Sequence, residues 1–167
     1  MYEQPNLVIL VQGAAEGDSE LTAFDNALRK AGIGDLNLIR VSSIVPPGAR
    51  LASLPEIPMG SLTPAAYAKA VSSVPGQQIA ACVGAGITER GGVLMEATAE
   101  CSADELSEQV RLMVEEGMRV RGLEPYEFHI AAADHTVQHV GSAIAAAVLW
   151  QDQSTGGGSV RNRGGEG

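Results

Sequence analysis

The sequence is short of positive charge and of long hydrophobic runs. Its 11 lysines and arginines stand against 20 aspartates and glutamates, which gives a formal net charge of −9. Nucleic acids and anionic membranes need a cationic face on their protein partner, so we expect neither as a partner. The apolar run at residues 7–11 is too short to span a bilayer, and no basic segment precedes it. We therefore expect neither a transmembrane helix nor a signal peptide.

Cysteine and lysine are also scarce. The two cysteines, Cys82 and Cys101, cannot form a disulfide framework, and we expect both to be reduced in a cytoplasmic protein. The chain has two lysines, and neither has a setting typical of a lysine that binds pyridoxal phosphate. His135 and His139 have the spacing of a zinc pair on a helix, but no third ligand accompanies them. We therefore expect no metal site.

Apolar runs predict most of the strands. We predict strands at residues 7–12, 36–45, 78–87 and 92–100, of which the first stops at Gly13 and the second at Pro46-Pro47. Proline cannot donate a hydrogen bond to a sheet, which is why the diproline ends the second strand. Residues 127–150 fit a helix or two strands, and we interpret them as two strands that turn near Gly141-Ser142.

Three segments carry helix signals, each a capping residue or an early proline followed by apolar residues at helical spacing. The predicted helices run from the cap Ser19 to Gly32, from Thr63-Pro64 to about Ser73, and from the Ser102–Glu105 capping box to Gly122. The resulting order, β-α-β-α-β-β-α-β-β, predicts an α/β fold, a layered sandwich with helices covering a mixed β-sheet. We expect one domain at residues 1–150, followed by a polar, glycine-rich and disordered tail at residues 151–167.

The segment Asn37–Gly48, Asn-Leu-Ile-Arg-Val-Ser-Ser-Ile-Val-Pro-Pro-Gly, is the most informative part of the chain. By itself, a Ser42-Ser43 pair before a diproline is most simply a polar strand end. The interpretation changes because stretches elsewhere in the chain form a pattern with this segment.

Those stretches occur in a fixed order and at compatible spacing along most of the sequence. They are Ala23-Phe-Asp25, Ala31-Gly-Ile-Gly34, Asn37-Leu-Ile-Arg-Val-Ser-Ser-Ile-Val-Pro-Pro47, Pro58-Met-Gly60, Thr63-Pro-Ala-Ala-Tyr67, Leu94-Met-Glu96, Asp134-His-Thr-Val137 and Ala145-Ala-Ala-Val-Leu-Trp150. Together they make the chain, from about Asn6 to Trp150, resemble the pyruvoyl-dependent arginine decarboxylases. The resemblance implies self-cleavage between Ser42 and Ser43 into a β-chain of residues 1–42 and an α-chain of residues 43–167.

The same resemblance implies a cofactor and an assembly. The cofactor is a pyruvoyl group derived from Ser43, in place of pyridoxal phosphate or a metal. The assembly is a trimer of cleaved protomers, with active sites between neighbouring subunits. The substrate is a small molecule, an amino acid.

This chemistry requires a serine at position 43. Its hydroxyl can attack the carbonyl of Ser42, and the resulting ester can eliminate to leave a carboxylate at Ser42 and dehydroalanine at position 43. Tautomerisation and hydrolysis then release ammonia and leave the pyruvoyl ketone. Such a ketone forms a Schiff base with an amino acid and accepts the electron pair left by departing CO₂.

The resemblance also gives roles to three residues outside the serine pair. Glu96 is the implied proton donor, kept protonated by burial on an apolar strand; the alternative is an outward-facing strand glutamate. Asn37 matches an active-site position of the family, where an amide can polarise the Ser42 carbonyl or hold the imine. It lies six residues before Ser43, on the same face if both belong to one extended strand; the alternative is a strand-end cap. Asp25 is similar to the residue that holds the substrate guanidinium, with Ser42 as the second substrate-binding residue; the alternative for Asp25 is solvated helix surface.

The leading hypothesis is therefore a cytoplasmic enzyme that converts arginine to agmatine, a route into polyamines. One alternative keeps the cofactor but changes the amino acid, because pocket residues other than Asp25 are not assigned. Another is a trimeric scaffold that never cleaves itself. The presence of Asn37, Ser42, Ser43 and Glu96 in one chain speaks against the scaffold.

Overall fold

The computed structural model describes residues 4–152, which form two β-sheets and two α-helices. In chain order the elements are β1 (Leu7–Glu16), α1 (Glu20–Lys30), β2 (Asn37–Arg40), β3 (Ile44–Val45), β4 (Arg50–Leu51), β5 (Leu62–Ser72), β6 (Gln78–Thr88), β7 (Gly91–Ala99), α2 (Ala103–Val120), β8 (Glu127–Thr136) and β9 (Gly141–Trp150). The predicted α/β class is confirmed, but the strands divide between two sheets instead of joining one. The expected tail at residues 151–167 falls almost wholly outside the described residues.

The larger sheet has five strands in the order β2-β5-β9-β1-β4. Its central strand β9 pairs antiparallel with both β1 and β5, and the short strands β2 and β4 join at the edges in parallel. Apart from Trp150, every residue of β9 is buried. A strand covered on both faces has a continuous apolar sequence, which explains why this segment also fitted a helix.

The smaller sheet has four antiparallel strands in the order β3-β7-β6-β8. The long strands β6 and β7 form a hairpin at the predicted positions, and β8 pairs with the other side of β6. The short strand β3 lies at the edge beside the start of β7. The residues that follow Ser43 therefore belong to a different sheet from the residues that precede Ser42.

Three apolar clusters hold these elements together. One lies between the sheets and joins strands from both of them, including Val8, Ala66, Val83, Leu94 and Ala145. The second joins α1 to the larger sheet, and the third joins α2 to the smaller sheet. Many of the strand residues are alanines, and small side chains let the layers pack closely.

The two helices that the capping signals predicted are confirmed. Ser19 accepts a hydrogen bond from the amide of Thr22 at the start of α1, and Ser102 and Glu105 form a reciprocal capping box at the start of α2. Such a box satisfies amide groups that a helix N-terminus otherwise leaves without partners. Gly122 has a φ of 63°, in the left-handed region that suits a residue just after a helix.

The predicted helix at residues 63–73 is wrong, because this segment is strand β5. Alanine favours a helix, but β5 pairs with β9 from Ala65 to Ser72 and with β2 at its start. Most of its small side chains are buried in one or other of the two apolar clusters that flank the larger sheet. Pairing with distant strands therefore outweighs the local preference of the sequence.

The predicted end of the first strand at Gly13 is also wrong. The strand continues to Glu16, and Gly13 lies under α1. A Cβ atom at Gly13 would lie 2.5 Å from the carbonyl oxygen of Ala27 and 2.8 Å from the amide nitrogen of Ala31. The glycine is needed for the close approach of the helix to the strand, and it does not break the strand.

The predicted strand at residues 36–45 is two strands with a break between them. Its first part is β2 of the larger sheet and its second part is β3 of the smaller sheet. The break at residues 41–43 contains both serines of the Ser42-Ser43 pair. The chain breaks here because the two parts have partners in different sheets: β2 pairs with β5 of the larger sheet, and β3 pairs with β7 of the smaller sheet.

Both cysteines within residues 4–152 are free thiols. No helix in the described part of the chain is long and apolar enough to cross a membrane.

Candidate active site

The Ser42–Ser43 peptide bond lies where the chain crosses from one sheet to the other. On the near side, the amide of Val41 donates to the carbonyl oxygen of Ala65 at 3.1 Å. On the far side, the carbonyl oxygen of Ser43 accepts from the amide of Leu94 at 2.8 Å. Ser42 is exposed and Ser43 is half-buried. The bond is therefore accessible, while the segments on both sides of it are held by hydrogen bonds to different sheets.

The register of β3 and β7 brings Ser43 towards Glu96. Ile44 pairs with Val93, so the antiparallel register sets Ser43 opposite Leu94, the residue that binds its carbonyl. Side chains alternate along a strand, so Glu96 lies on the same face of β7 as Leu94, diagonal to Ser43. Diagonal neighbours in an antiparallel pair are about 7–8 Å apart, within reach of a long side chain.

Glu96 is partly buried, and its surroundings favour the protonated carboxyl. Its side chain is 25% exposed. Burial raises the pKa of the Glu96 carboxyl above its ordinary value, because the charged form loses water, while the nearby Arg40 guanidinium acts in the opposite direction. A carboxyl with these properties can hold a proton and deliver it to a neighbouring atom.

Arg40 lies against Glu96 and is the last residue of β2, just before the break. Its Nη1 atom is 4.0 Å from Oε1 of Glu96. Its guanidinium carbon is 4.1 Å from the centre of the Tyr67 ring on β5, which is the geometry of a cation–π contact. The Tyr67 ring in turn stacks with Phe24 of α1, with ring centres 6.4 Å apart. A continuous set of contacts thus joins α1, both sheets and Glu96.

Asn37 is fixed at the start of β2 by the turn that precedes β5. Its side-chain amide donates to the carbonyl oxygen of Gly60 at 2.8 Å, and its backbone amide donates to Ser61 at 3.0 Å. The prediction that Asn37 and Ser43 share one extended strand is wrong, because the strand is interrupted between them. Alternation along a strand therefore gives no reason to place the two on one face.

Asp25 is exposed on α1 and borders an open cavity of about 660 Å³. The cavity is lined by Glu16, Gly17, Asp18, Thr22, Asp25, Asn26, His139 and Val140. Its three carboxylates suit a cationic ligand. Among the described residues, neither of the two serines nor Glu96 lines this cavity. A single chain therefore sets Glu96 diagonal to Ser43, while Asp25 lines a cavity to which neither residue contributes.

The cavity beside Asp25 is shaped by Glu16, whose carboxylate closes the turn between β8 and β9. It accepts backbone hydrogen bonds from Gln138, His139 and Val140 and also contacts the ring of His135. These bonds, chiefly that from Gln138, lower the pKa of Glu16 to about 2, against an opposing effect of burial. His135 thus has a carboxylate partner, and no cluster of three or more potential metal ligands occurs within residues 4–152.

Two residues of this site were not assigned from the sequence. Arg40 and Tyr67 contact each other across β2 and β5, and Arg40 also contacts Glu96. Both residues lie inside stretches that carried the family resemblance, so a signal was present. The resemblance did not indicate their roles, because the reactions that form and use a pyruvoyl group require neither an arginine nor a tyrosine.

The residues at the crossing between the sheets fit a pyruvoyl group made from Ser43. Such a group is bound through the chain itself, so it needs a serine with an accessible preceding carbonyl and flanking segments that stay in place after the cut. Ser43 meets these conditions, because Val41 and Ser43 are each bonded to a different sheet. The partly buried Glu96 supplies an acid nearby.

Comparisons with known proteins point in the same direction. A family model described as pyruvoyl-dependent arginine decarboxylase matches residues 7–154. A protein of Methanocaldococcus jannaschii named pyruvoyl-dependent arginine decarboxylase is 45% identical over 152 residues, which cover 89% of this chain and 92% of that protein. Proteins of the same name from Methanococcus maripaludis strain C5 and Pyrococcus horikoshii are 43% and 44% identical. They match 89% and 87% of this chain and 93% and 94% of their own lengths.

Proposed function

The chain belongs to the pyruvoyl-dependent arginine decarboxylase family, and on that basis we propose that it cleaves itself at Ser42–Ser43 and converts arginine to agmatine and CO₂. One observation carries the proposal furthest. The Leu94 amide binds the Ser43 carbonyl at 2.8 Å, which joins the proposed cut directly to the strand that carries Glu96.

Self-cleavage uses only atoms of the chain and one water. The Ser43 hydroxyl attacks the carbonyl carbon of Ser42, and its proton passes to the departing amide nitrogen of Ser43. The ester then loses the α-proton of residue 43, its Cβ–O bond breaks, and Ser42 leaves as a carboxylate. The dehydroalanine that remains takes up one water and releases one ammonia. The proposed products are a β-chain of residues 1–42 and an α-chain of residues 43–167 that begins with a pyruvoyl group.

The chain's own residues then handle charge and protons. The pyruvoyl group, when present, supplies an electron sink for decarboxylation at the α-carbon of the substrate. Glu96 is the proposed donor of the proton that replaces CO₂ at that carbon, because burial favours its acid form. Asn37 is proposed to bind polar atoms near the cut. Its side-chain hydrogen bond to the Gly60 carbonyl would hold the amide in place for that role.

Substrate selection is assigned to Asp25 and Ser42. The carboxylate of Asp25 stands beside Glu16 and Asp18 at one cavity, and a charge-assisted pair with a guanidinium needs such an anionic surface. In one chain this cavity does not include Ser43 or Glu96. We therefore propose a trimer in which Asp25 of one subunit faces the cut residue of its neighbour, so that each complete site needs two copies of the chain.

The proposed architecture is a layered α/β sandwich in a single domain of residues 1–150. The supporting observation is the order of the apolar clusters, which runs from α1 through the larger sheet and the smaller sheet to α2. The glycine-rich residues 151–167 are proposed to be a tail outside this domain.

Intact mass measurement tests the cleavage. We expect two fragments, of which the larger has no free amine and is lighter by one ammonia than residues 43–167 with an N-terminal serine. A chain that stays uncut after prolonged warming would overturn self-processing. Release of CO₂ from arginine, ornithine, lysine and histidine, each tested with the cut protein, identifies the substrate. Turnover of one of the others without arginine would leave the cofactor chemistry standing and change the substrate.

A mixing experiment tests the shared site. At an arginine concentration far below the raised KM expected for Asp25→Asn, pure assemblies of Asp25→Asn subunits and pure assemblies of Ser43→Ala subunits are each expected to be nearly inactive. When the two are co-expressed, some sites combine the native Asp25 of one subunit with the native Ser43 of the other. We expect activity to reappear in these mixed assemblies. Mixed assemblies that are isolated and remain inactive would show that both residues must come from the same chain.

A further inference from the structure

Arg40 occupies a position that links the two sides of the proposed cut. It lies two residues before Ser42, while both of its side-chain partners, Tyr67 and Glu96, follow Ser43 in the sequence. Cleavage would therefore leave Arg40 on the β-chain and its partners on the α-chain. The contact does not require the intact bond, because Arg40 is held by the pairing of β2 with β5, which involves neither serine.

The contact has a geometry that orients the guanidinium. The planar group lies 4.1 Å from the centre of the Tyr67 ring and 4.0 Å from a carboxylate oxygen of Glu96. The Arg40 side chain is 54% exposed, and an exposed ion pair alone would be too weak to hold one arrangement. The ring supplies a second, independent contact that limits where the guanidinium can go.

We propose that Arg40 is a positioning residue for Glu96: held over the Tyr67 ring, it orients the Glu96 carboxyl towards Ser43 and sets the pH range in which that carboxyl keeps its proton. The proposal rests on the proposed function of Glu96 as proton donor. Arg40 is proposed to act without contacting either the cut bond or the substrate. Its effect passes through Glu96 alone.

Within residues 4–152, Arg40 is the charged group that faces Glu96 from the neighbouring elements. The strands β3, β6 and β9 carry no charged side chain, and Glu96 pairs with Val83 of β6. On β5, the ammonium of Lys69 lies 4.2 Å from the centre of the Phe24 ring. That cation has a partner of its own on α1.

Charged groups of α2 lie on the other side of β7. Glu116 and Arg121 border a cavity together with Met95. Met95 precedes Glu96, and successive side chains on a strand point to opposite faces. Arg40 is accordingly the cation whose removal should change the protonation of Glu96. Removing Arg40 should raise the pKa of Glu96, because a nearby positive charge favours the carboxylate.

Variants of Arg40 test the proposal in the trimeric, cut protein. For Arg40→Gln we expect kcat on arginine to fall roughly 10- to 100-fold through misplacement of the acid, with KM nearly unchanged. The upper limb of the kcat–pH profile should move to higher pH. Arg40→Lys keeps the charge and should restore the position of that limb. Arg111→Gln, which removes an exposed arginine paired with Glu108 and Glu115 on α2, is the matched control and should change neither quantity.

Variants of Tyr67 test the ring separately and leave the charges intact. Tyr67→Phe keeps the aromatic face and should behave as the wild type. Tyr67→Leu removes the face and should lower kcat with a smaller movement of the upper pH limb than Arg40→Gln. Equal behaviour of the Phe and Leu variants would overturn the role of the ring. A rise in KM for Arg40→Gln with unchanged kcat and pH limb would mean that Arg40 binds substrate, which would overturn the proposal.

A titration without catalysis separates this proposal from the proposed function. In uncut Ser43→Ala protein labelled with ¹³C at glutamate carboxyls, the Glu96 signal can be assigned by its loss in Glu96→Gln. Adding Arg40→Gln should raise the pKa of Glu96, and an unchanged pKa would overturn the proposal. Absence of arginine turnover in the wild type would overturn the proposed function instead. The titration would still show whether Arg40 lowers the pKa of Glu96.

Discussion

The amide nitrogen of Leu94 lies 2.8 Å from the carbonyl oxygen of Ser43, and this hydrogen bond joins the proposed cut to the strand that carries the proposed acid. Glu96 follows Leu94 by two residues and so shares its face of β7. The bond also anchors the chain on the far side of the cut, while Val41 is anchored to β5 on the near side. The peptide bond of the proposed cut thus lies between two anchors, one in each sheet.

Ser43→Ala should stop self-cleavage entirely. Alanine has no hydroxyl to attack the Ser42 carbonyl, so neither the ester nor the pyruvoyl group can form. Intact mass should show one full-length chain, and CO₂ release from arginine should be lost. Ser42→Ala is the matched control: the carbonyl is retained, and two fragments should still appear. Cleavage in Ser43→Ala would place the nucleophile elsewhere.

Glu96→Gln should permit the cut and slow decarboxylation. Removing a general acid typically costs about 10²- to 10⁴-fold in rate, and the glutamine amide is close in size and cannot donate a proton in the same way. The measurement is kcat on arginine, normalised to the amount of cut α-chain. A variant that turns over arginine at the wild-type rate would assign the proton to another group.

The pH dependence of stability provides a second test of Glu96. Because burial raises its pKa in the folded protein, the folded state binds more protons than the unfolded state between the ordinary and the raised value. The free energy of unfolding therefore falls as pH rises through that window. Urea unfolding of uncut Ser43→Ala protein, at fixed concentration, should show this fall. The fall should be smaller after Glu96→Gln.

Asp25→Asn should weaken arginine binding without affecting the cut. A hydrogen bond to a charged group contributes about 1.5–3 kcal/mol, so KM should rise roughly 10- to 150-fold, while the two fragments still form. Asp35, exposed in the loop between α1 and β2, offers a control in Asp35→Asn that should leave KM unchanged. Unchanged KM in Asp25→Asn would place Asp25 on solvated surface.

Glu16→Gln should destabilise the fold at neutral pH. The carboxylate accepts three backbone hydrogen bonds from the turn before β9, and its pKa is lowered to about 2. The contribution of Glu16 to the free energy of unfolding is fully present above its ordinary pKa of 4.5 and is lost as pH falls towards 2. We expect a loss of roughly 1–3 kcal/mol in the free energy of unfolding at pH 7. The difference from wild type should shrink in acid. As a control at pH 7, Glu56→Gln at an exposed position should leave the free energy of unfolding unchanged within about 0.5 kcal/mol.

Gly13→Ala should destabilise the fold by about 1–3 kcal/mol. The added methyl would lie 2.5 Å from the Ala27 carbonyl oxygen, so α1 would have to move away from β1. Thermal unfolding of the uncut Ser43→Ala background is the measurement. Val74→Ala in an exposed turn is the control, with an expected change within about 0.5 kcal/mol. Wild-type stability in Gly13→Ala would show that the helix adjusts freely.

Much of the secondary structure could be predicted because its causes are local. The caps of both helices depend on bonds between residues three apart, such as Ser102 and Glu105, and the hairpin of β6 and β7 joins neighbours in the chain. β5 could not be predicted in this way. Its alanine-rich sequence favours a helix by itself, and the partners that make it a strand, β2 and β9, lie elsewhere in the sequence.

The sequence by itself determined the candidate chemistry, because a serine at position 43 can become a pyruvoyl group and only a few residue types can serve as its acid. It also determined the family resemblance, through stretches spread over most of the chain. The tertiary structure decided the geometry. It placed the serine pair at a crossing between two sheets, set Glu96 diagonal to Ser43, brought Arg40 over the Tyr67 ring and beside the Glu96 carboxyl, and left Asp25 at a separate cavity. These relationships come from pairing between strands that are distant in the sequence. No local pattern of residues indicates which distant strands will pair.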